Sequence, residues 1–291
     1  MSLEVNIDAL LPAEMARRAE YIGVRKAESP VFTTFVLAVL AGAFIALGAI
    51  FSTTITAGAA GSLPYGVTRL LAGLVFSLGL ILVVVGGAEL FTGNNLIVMA
   101  WASRKVKTSA LLKNWVIVYV GNFVGSIGTA ILIFLSRQYR FGGGVVGQTA
   151  LTIANSKVNL EFIQAIALGV LCNTLVCLAV WLTYSARSTV DKIAAIIFPV
   201  SAFVAAGFEH SIANMYFIPI GLFIKDFDPA FTAKIVSETS LNLEHLNWGS
   251  FLFNNLLPVT IGNILGGVLL VAVIYWSVFL RKSDKEKRRN V

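Results

Sequence analysis

Apolar residues run along this chain in long blocks separated by short polar or charged clusters. Six blocks stand out, at roughly 31–57, 66–103, 109–136, 159–186, 192–224 and 250–280. A helix crosses the hydrocarbon layer with about 20 apolar residues, so each block predicts a spanning helix. The second and fifth are too long for one simple helix and carry polar interruptions at 86–95 and 207–214. The first interruption holds Gly87, Glu89 and Asn94. The second holds Gly207, Glu209 and Asn214, each 120 residues later. The third and sixth blocks share a further motif, Gly121-Asn122-x-x-Gly125 and Gly262-Asn263-x-x-Gly266.

Two motifs in the same order predict a duplication, spans one to three repeated as four to six. Three spans per half is an odd number, so the second half starts on the opposite face and the repeat is inverted. The expected fold is an all-α polytopic membrane protein: six transmembrane helices in an inverted 3+3 repeat, with the second and fifth interrupted. The whole chain, 1–291, reads as a single transmembrane channel domain. Within it, 1–30 form an amphipathic N-terminal segment, 31–136 the first repeat, 159–280 the second repeat and 281–291 a basic tail. Over 11–26, Pro12 suits a first helical turn. Leu11, Met15, Ala19 and Ile22 share one face there, with Arg17, Arg18 and Arg25 elsewhere, which predicts a helix lying along the membrane surface. Residues 137–157 contain Phe141-Gly142-Gly143-Gly144 and read as a flexible connector without apolar period. Residues 225–249, with Asp226, Asp228, Pro229, Glu238 and Glu244, read as a polar external cap.

Composition agrees with the block pattern. The chain is 57% hydrophobic and 13% charged, with a mean hydropathy of +0.83. Soluble domains are about one-quarter charged, so too few polar residues remain here to cover a water-facing surface. The first block is longer than the apolar core of a signal peptide, about 7–15 residues, and no cleavable signal is expected. Cys172 and Cys177 lie five apart in one block, face different directions and read as small packing residues, without disulfide or metal spacing. The net charge of +7 does not point to nucleic acid. Sixteen of the 22 Lys and Arg fall on the side that holds both termini, which predicts cytoplasmic termini. The basic tail is then a topology signal that can also touch anionic headgroups.

Ionisable groups inside a spanning block mark ion or substrate pathways by default. His210 is the only group near midplane depth whose unperturbed pKa lies near physiological pH. Thr92 is its polar counterpart in the first interruption, offset by two positions. Together they could bond a small carboxylate-like anion or exchange a proton with it; the alternative is a structural hydrogen bond of a lone buried histidine. The N-termini of the two second half-helices favour an anion, partly cancelled by the carbonyl ends that precede them. Glu89 and Glu209 read as braces that hold unwound backbone, since a carboxylate facing an anion would repel it. Lys157 is either an attractor at the mouth or an ordinary flanking lysine. Asn173 is expected to bond the second interruption. Asn122 and Asn263 are expected to bond across helices, with Asn263 also a candidate for lining the path. Phe76 and Leu80, one turn apart, and Phe203 at comparable depth could form dewetting constrictions or simply pack. The glycines spaced by four favour close helix approach. No nucleotide-binding loop, dinucleotide fingerprint, Ser/His/Asp signature or metal set is present in the sequence. No enzyme, cofactor or ATP-driven pump is expected, and any flux follows existing gradients or couples to protons.

Three stretches carry a resemblance: Gly-Phe-Glu-His-Ser-Ile-Ala-Asn-Met at 207–215, Gly-Ala-Glu-Leu-Phe-Thr-Gly-Asn at 87–94, and Leu257-Pro258-Val259-Thr260-Ile261-Gly262-Asn263. They resemble the formate/nitrite transporter family, as does the chain from about residue 8 to 281. Ser77-Leu78-Gly79-Leu80-Ile81-Leu82 and Cys177-Leu178-Ala179-Val180-Trp181 are most similar to its formate-channel branch. The resemblance implies an aquaporin-like protomer in a homopentamer, with one path per protomer for formate and related small monovalent anions across a bacterial inner membrane. It implies Thr92 and His210 as the central polar pair, and Phe76, Leu80, Leu90, Phe91 and Phe203 as narrowings. Lys157, Asn173, Glu209, Asn214 and Asn263 would support or line the path, with Glu89 bracing the first interruption. Nitrite and hydrosulfide stay open as sibling substrates. A neutral water or glycerol channel would carry paired Asn-Pro-Ala breaks, which neither interruption contains. A scaffold or sensor without transport would leave the buried Glu and His pairs unexplained.

Overall fold

The protein's structure, a computed structural model, describes residues 9–281. The expected basic tail therefore lies outside the described residues except for Arg281. Helix α1 (Pro12–Ala27) leads into α2 (Val31–Thr56) and α3 (Tyr65–Gly86), then a 3-10 turn (Gly93–Ile97) and the short α4 (Val98–Ala102). Next come α5 (Thr108–Leu135), α6 (Val145–Val158), α7 (Phe162–Thr183), α8 (Thr189–Ala205), α9 (Ser211–Phe227) and α10 (Pro229–Thr239). The last helix, α11 (Ser250–Leu280), is 31 residues long, with wider π-type winding over Ser250–Leu256 and Gly266–Val273. Among the described residues there is no strand.

Five helices are long and apolar enough to cross a membrane: α2, α3, α5, α7 and α11. The fifth block instead forms α8 and α9, 17 residues each, so neither half meets that length by itself. The starts of these helices are written in the sequence. Ser188 accepts from the Asp191 N–H at 3.1 Å while Asp191 accepts from the Ser188 N–H at 2.9 Å, a reciprocal cap. Pro229 follows the Asp228 cap, which accepts from the Phe231 N–H at 3.3 Å, and Pro suits a first helical position.

The molecule is apolar on the outside, and its largely apolar interior also holds buried asparagines. Leu112, Val116, Val120, Leu132 and Leu135 of α5 are exposed, as are Leu269, Leu270 and Ile274 of α11. Asn95, Asn122, Asn173, Asn255 and Asn263 are fully buried. Helices that expose apolar faces have no hydrophobic force pulling them together in lipid, so close backbone contact and interior polar bonds must hold them. The glycine pattern provides the contact. A Cβ on Gly125 would overlap the Val39 carbonyl of α2, and one on Gly121 would lie 2.5 Å from the Ala38 Cβ. The matching helix pair repeats this: Cβ atoms on Gly262 and Gly266 would overlap the Ile166 and Val170 carbonyls of α7.

Two expectations need correction. Residues 145–158 are a helix, not a flexible connector. Its buried side is Val146, Gly147, Ala150, Leu151, Ala154 and Val158, a helical spacing masked by small residues and by the glycine run before it. Helix α1 does not merely rest on a membrane surface. Met15, Ala16, Ala19 and Gly23 are buried against the protein itself, in a cluster with Leu96, Ile97, Met99 and Ala100, while Leu11 points outward. The segment 225–249, read above as a polar cap, contains the helix α10.

Overpacking a tight backbone contact destabilises by about 1–3 kcal/mol. Gly125→Ala should therefore lower the thermal midpoint of the detergent-solubilised protein. Gly128→Ala, where nothing lies within 4 Å of an added Cβ, should leave it unchanged. Equal losses at the two positions would contradict the packing account.

Candidate functional site

Both interruptions end a helix in the same way. Gly87 and Gly207 take left-handed backbone, φ +76° and +77°, which an added side chain would strain. The next N–H turns back five residues: Ala88 N–H donates to the Val83 carbonyl at 2.9 Å and Phe208 N–H to the Phe203 carbonyl at 3.0 Å. This is the closing bond of a Schellman motif. Each chain then leaves its helix axis, and the glutamate N–H bonds a neighbouring helix, Glu89 to Leu37 O at 3.2 Å and Glu209 to Leu168 O at 3.3 Å.

One asparagine holds the unwound backbone of each break. Asn122 Nδ2 donates to Ala38 O at 2.7 Å and Glu89 O at 2.9 Å, and its Oδ1 accepts from the Phe91 N–H at 2.9 Å. Asn263 Nδ2 donates to Gly169 O at 2.8 Å and Glu209 O at 2.9 Å, and its Oδ1 accepts from the Ser211 N–H at 2.9 Å. Each amide is thus spent on backbone.

Each glutamate sits in a cluster with one lysine and two asparagines. Lys26 Nζ lies 3.0 Å from Glu89 Oε2 and donates to Asn94 Oδ1 at 2.8 Å. Asn94 Nδ2 donates to Glu89 Oε2 at 2.7 Å and to Asn114 Oδ1 at 2.9 Å, and Asn114 Nδ2 returns to Lys26 O at 3.1 Å. In the second cluster Lys157 Nζ donates to Glu209 Oε1 at 2.7 Å. Asn214 Nδ2 donates to Glu209 Oε2 at 2.6 Å and to Asn255 Oδ1 at 2.7 Å, and Asn255 Nδ2 returns to Lys157 O at 2.8 Å. Taking a carboxylate away from water is costly unless cations and hydrogen-bond donors surround it, and both glutamates have them. Two bonds differ: Asn214 Oδ1 has no partner, whereas Asn94 Oδ1 takes Lys26, and Asn255 Nδ2 also reaches Glu209 Oε2 at 3.3 Å, while Asn114 bonds Asn94 and Lys26 instead.

Thr92 and His210 meet between the clusters. Thr92 is fully buried and His210 is 3% exposed; Thr92 Oγ1 lies 3.1 Å from His210 Nε2. His210 also caps α9, its Nδ1 accepting from the Ala213 N–H at 3.1 Å. A nitrogen that accepts an N–H carries no proton, so in the neutral ring the proton sits on Nε2 and faces Thr92. That leaves the Thr92 hydroxyl proton free. The Thr92 carbonyl is held by Asn173 Nδ2 at 3.3 Å and by Cys177 Sγ at 3.4 Å.

Apolar side chains stand on both sides of the pair. Toward Lys157, Phe203 is 6.0 Å from the His210 ring and 5.9 Å from Phe76. Phe76 stacks on Phe217, whose centroid is 5.4 Å from Lys157 Nζ. Toward Lys26, Leu80 and Leu90 end a cavity of ≈ 130 Å³ that Lys26 and Asn94 also line. Phe91 is packed edge-on against Tyr119 at 4.9 Å.

Some expectations change in detail. Asn173 bonds the first interruption rather than the second: its Nδ2 reaches Thr92 O, Asn95 Oδ1 at 2.9 Å and Asn263 O at 2.6 Å. The paired helix dipoles are also not available as foreseen. After the first break the chain forms only a 3-10 turn and five residues of α-helix, and the first amides of α9 are occupied by Asn263 and His210. The sequence reading missed Lys26, Asn114 and Asn255 as members of the clusters. A signal was there: Asn114 precedes Asn122 by the same eight positions as Asn255 precedes Asn263. Among the described residues no group of His, Cys, Asp and Glu could hold a metal ion.

A family model described as formate/nitrite transporter matches residues 13–277. The chain is 48% identical over 285 residues to the formate channel FocA of Escherichia coli strain K12, covering 98% of this chain and 99% of that protein. It is 41% identical to the formate channel FocA of Haemophilus influenzae, covering 91% and 93%. A solved structure described as a pentameric formate channel with formate bound matches with a TM-score of 0.79 and 47% identity, over 86% of this chain and 98% of that one.

Leaving a buried backbone group unpaired costs about 1–3 kcal/mol, and each frame asparagine serves three. Asn122→Leu and Asn263→Leu should both lower the thermal midpoint, by similar amounts. A large loss at one site and none at the other would contradict the matched roles of the two residues.

Proposed function

The chain belongs to the formate/nitrite transporter family, and on that premise we propose that it is a channel for formate and related small monovalent anions across a bacterial inner membrane. The observation that carries the reading is the Thr92–His210 contact, two polar groups from different breaks meeting in an otherwise apolar passage. Formate offers two acceptor oxygens. The Thr92 hydroxyl and the His210 Nε2–H can each turn from the other to donate to one of them.

The reading extends to the fold. We take α3 with α4, and α8 with α9, as the interrupted second and fifth spans of a six-span inverted repeat. What supports it is the matching of the asparagine clamps and of most lysine–glutamate–asparagine bonds in the two frames. The match also widens the repeat. Lys26 and Lys157 are matched, so α1 pairs with α6, and the halves run over about 12–135 and 145–280 rather than starting at 31 and 159. The Lys26 side is assigned to the cytoplasm on the lysine and arginine distribution. A homopentamer is proposed from the match to the pentameric relative.

Path and support then separate. An anion arriving beside Lys26 or Lys157 meets positive charge held next to a carboxylate, which attracts it without trapping it. It must next pass Leu80, Leu90 and Phe91 on one side and Phe76 and Phe203 on the other. These strip water and penalise a bare charge. If the ring first takes a proton from solvent at Nδ1, giving up the Ala213 bond, the resulting imidazolium could pass its Nε2 proton to the anion, relieve that penalty and return to a neutral ring; simple passage down a gradient involves no proton transfer. Glu89, Glu209, Asn94, Asn173, Asn214 and Asn263 belong to the frame, since their polar atoms serve the protein's own backbone and lysines.

Formate flux into proteoliposomes, measured against pH with nitrite as competitor, tests the reading. His210→Asn should reduce formate flux roughly tenfold, the worth of one charge-assisted hydrogen bond, and flatten its pH dependence. Unchanged flux and an unchanged pH profile would contradict the central role. Stronger transport of nitrite than of formate would move the assignment to the sibling anion.

A further inference from the structure

Arg69 sits in the second turn of α3, beside the second break. Helices α3 and α8 run antiparallel, with the Ser77 hydroxyl 3.4 Å from Ile197 O and Gly73 against the Ser201 backbone. The same register brings Arg69 to the end of α8. Its Nε donates to Ala205 O at 3.2 Å and its Nη2 donates to Val204 O. These are carbonyls of the last two residues of α8, at the negative end of its dipole, where the break has ended the helical ladder. A guanidinium presents its donors in a planar fork and so can hold two neighbouring carbonyls at once. Phe203, the residue before them, carries the ring that stands between Phe76 and His210.

This contact has no counterpart in the other half. Most lysine, glutamate and asparagine bonds of one break recur at the other; the open Asn214 oxygen and the Asn255–Glu209 bond are the differences within the clusters. By the 120-residue offset, the carbonyls that match Val204 and Ala205 are those of Val84 and Val85. Among the described residues no side chain donates to either, and Val84 lines the open cavity on the Lys26 side. A brace that the fold itself needed would appear in both halves. Arg69 therefore belongs to the particular task of the Lys157-side constriction.

We propose that Arg69 is a positioning residue for that constriction: its fork fixes the end of α8, and with it the Phe203 ring, and so sets the size limit for the anions that pass. The inference rests on the reading that the path runs between Phe76 and Phe203 to His210. Without the fork, the last turn of α8 gains freedom, the ring moves aside more often, and a carboxylate one carbon larger than formate passes more readily relative to formate.

The experiment compares Arg69→Lys and Arg69→Gln with wild type, reconstituted as the full chain and checked for native elution. Two quantities are read: the acetate-to-formate flux ratio, and hydrogen–deuterium exchange of the 203–209 segment. Loss of one charge-assisted bond predicts a rise of about tenfold in each for Arg69→Gln, with Arg69→Lys between it and wild type, because an ammonium keeps the charge without the fork. An unchanged ratio with unchanged exchange overturns the proposal. A wild-type ratio in Arg69→Lys with a raised ratio in Arg69→Gln also overturns it, since charge rather than geometry would then matter. If Arg69→Gln fails to assemble, Arg69→Lys in a Phe203→Ala background decides: the proposal expects no further change in the ratio once the ring is gone, and an additional rise contradicts it. A wild-type protein that passes no formate would refute the transport reading, while the exchange measurement still reports on Arg69.

Discussion

A helix broken inside an apolar layer exposes N–H and C=O groups where no bulk water can reach them. Unpaired, they would cost far more than any single contact returns, so such backbone persists only when protein groups satisfy it. Every other feature of this molecule depends on that constraint being met twice. Asn122 and Asn263 meet it most directly, each reaching across to a neighbouring helix and back to the break with one amide. The Lys–Glu–Asn clusters extend the same solution outward. They make a buried carboxylate, Glu209, and a half-buried one, Glu89, tolerable by surrounding them with donors, and the lysine backbone carbonyls close each circuit through Asn114 and Asn255.

Once the breaks are held, the chemistry at the centre is small. The His210 ring is oriented by its own helix, because capping Ala213 removes the choice of tautomer and turns Nε2–H toward Thr92. Thr92 is held by its carbonyl, leaving its hydroxyl able to respond to an anion. Apolar rings and leucines stand on either side of the pair, and on the proposed reading their exclusion of water makes two weak donors decisive there. The frame is almost symmetric and the passage is not. An open cavity faces Lys26, while Phe76, Phe203 and Phe217 crowd the side of Lys157. The open Asn214 oxygen and the Arg69 contact both fall on that crowded side.

Much of this was legible in the residues. Long apolar blocks located the helices, and the repeated Gly-x-Glu and Gly-Asn motifs located both breaks and both clamps, because the backbone geometry there depends on residue type. A left-handed cap wants glycine, and a two-faced amide wants asparagine. Helix α6 was hidden because Ala, Gly and Val at its buried positions give little hydrophobic contrast, and a glycine run stands just before it. Lys26 looked like a topology charge because sequence shows its count and not its direction. Asn173 was placed at the wrong break since its depth was readable but its facing side was not. The substrate itself came from likeness to known formate channels, because two donors in an apolar passage fit several small anions.

The account stands most directly on where the anion rests. A cryo-electron microscopy structure of the reconstituted protein in saturating formate would show it. The account predicts a small planar occupant within hydrogen-bond reach of both Thr92 Oγ1 and His210 Nε2, with the Asn122 and Asn263 clamps intact. An occupant bound only beside Lys26 or Lys157, with the Thr92–His210 contact closed and empty, would contradict it.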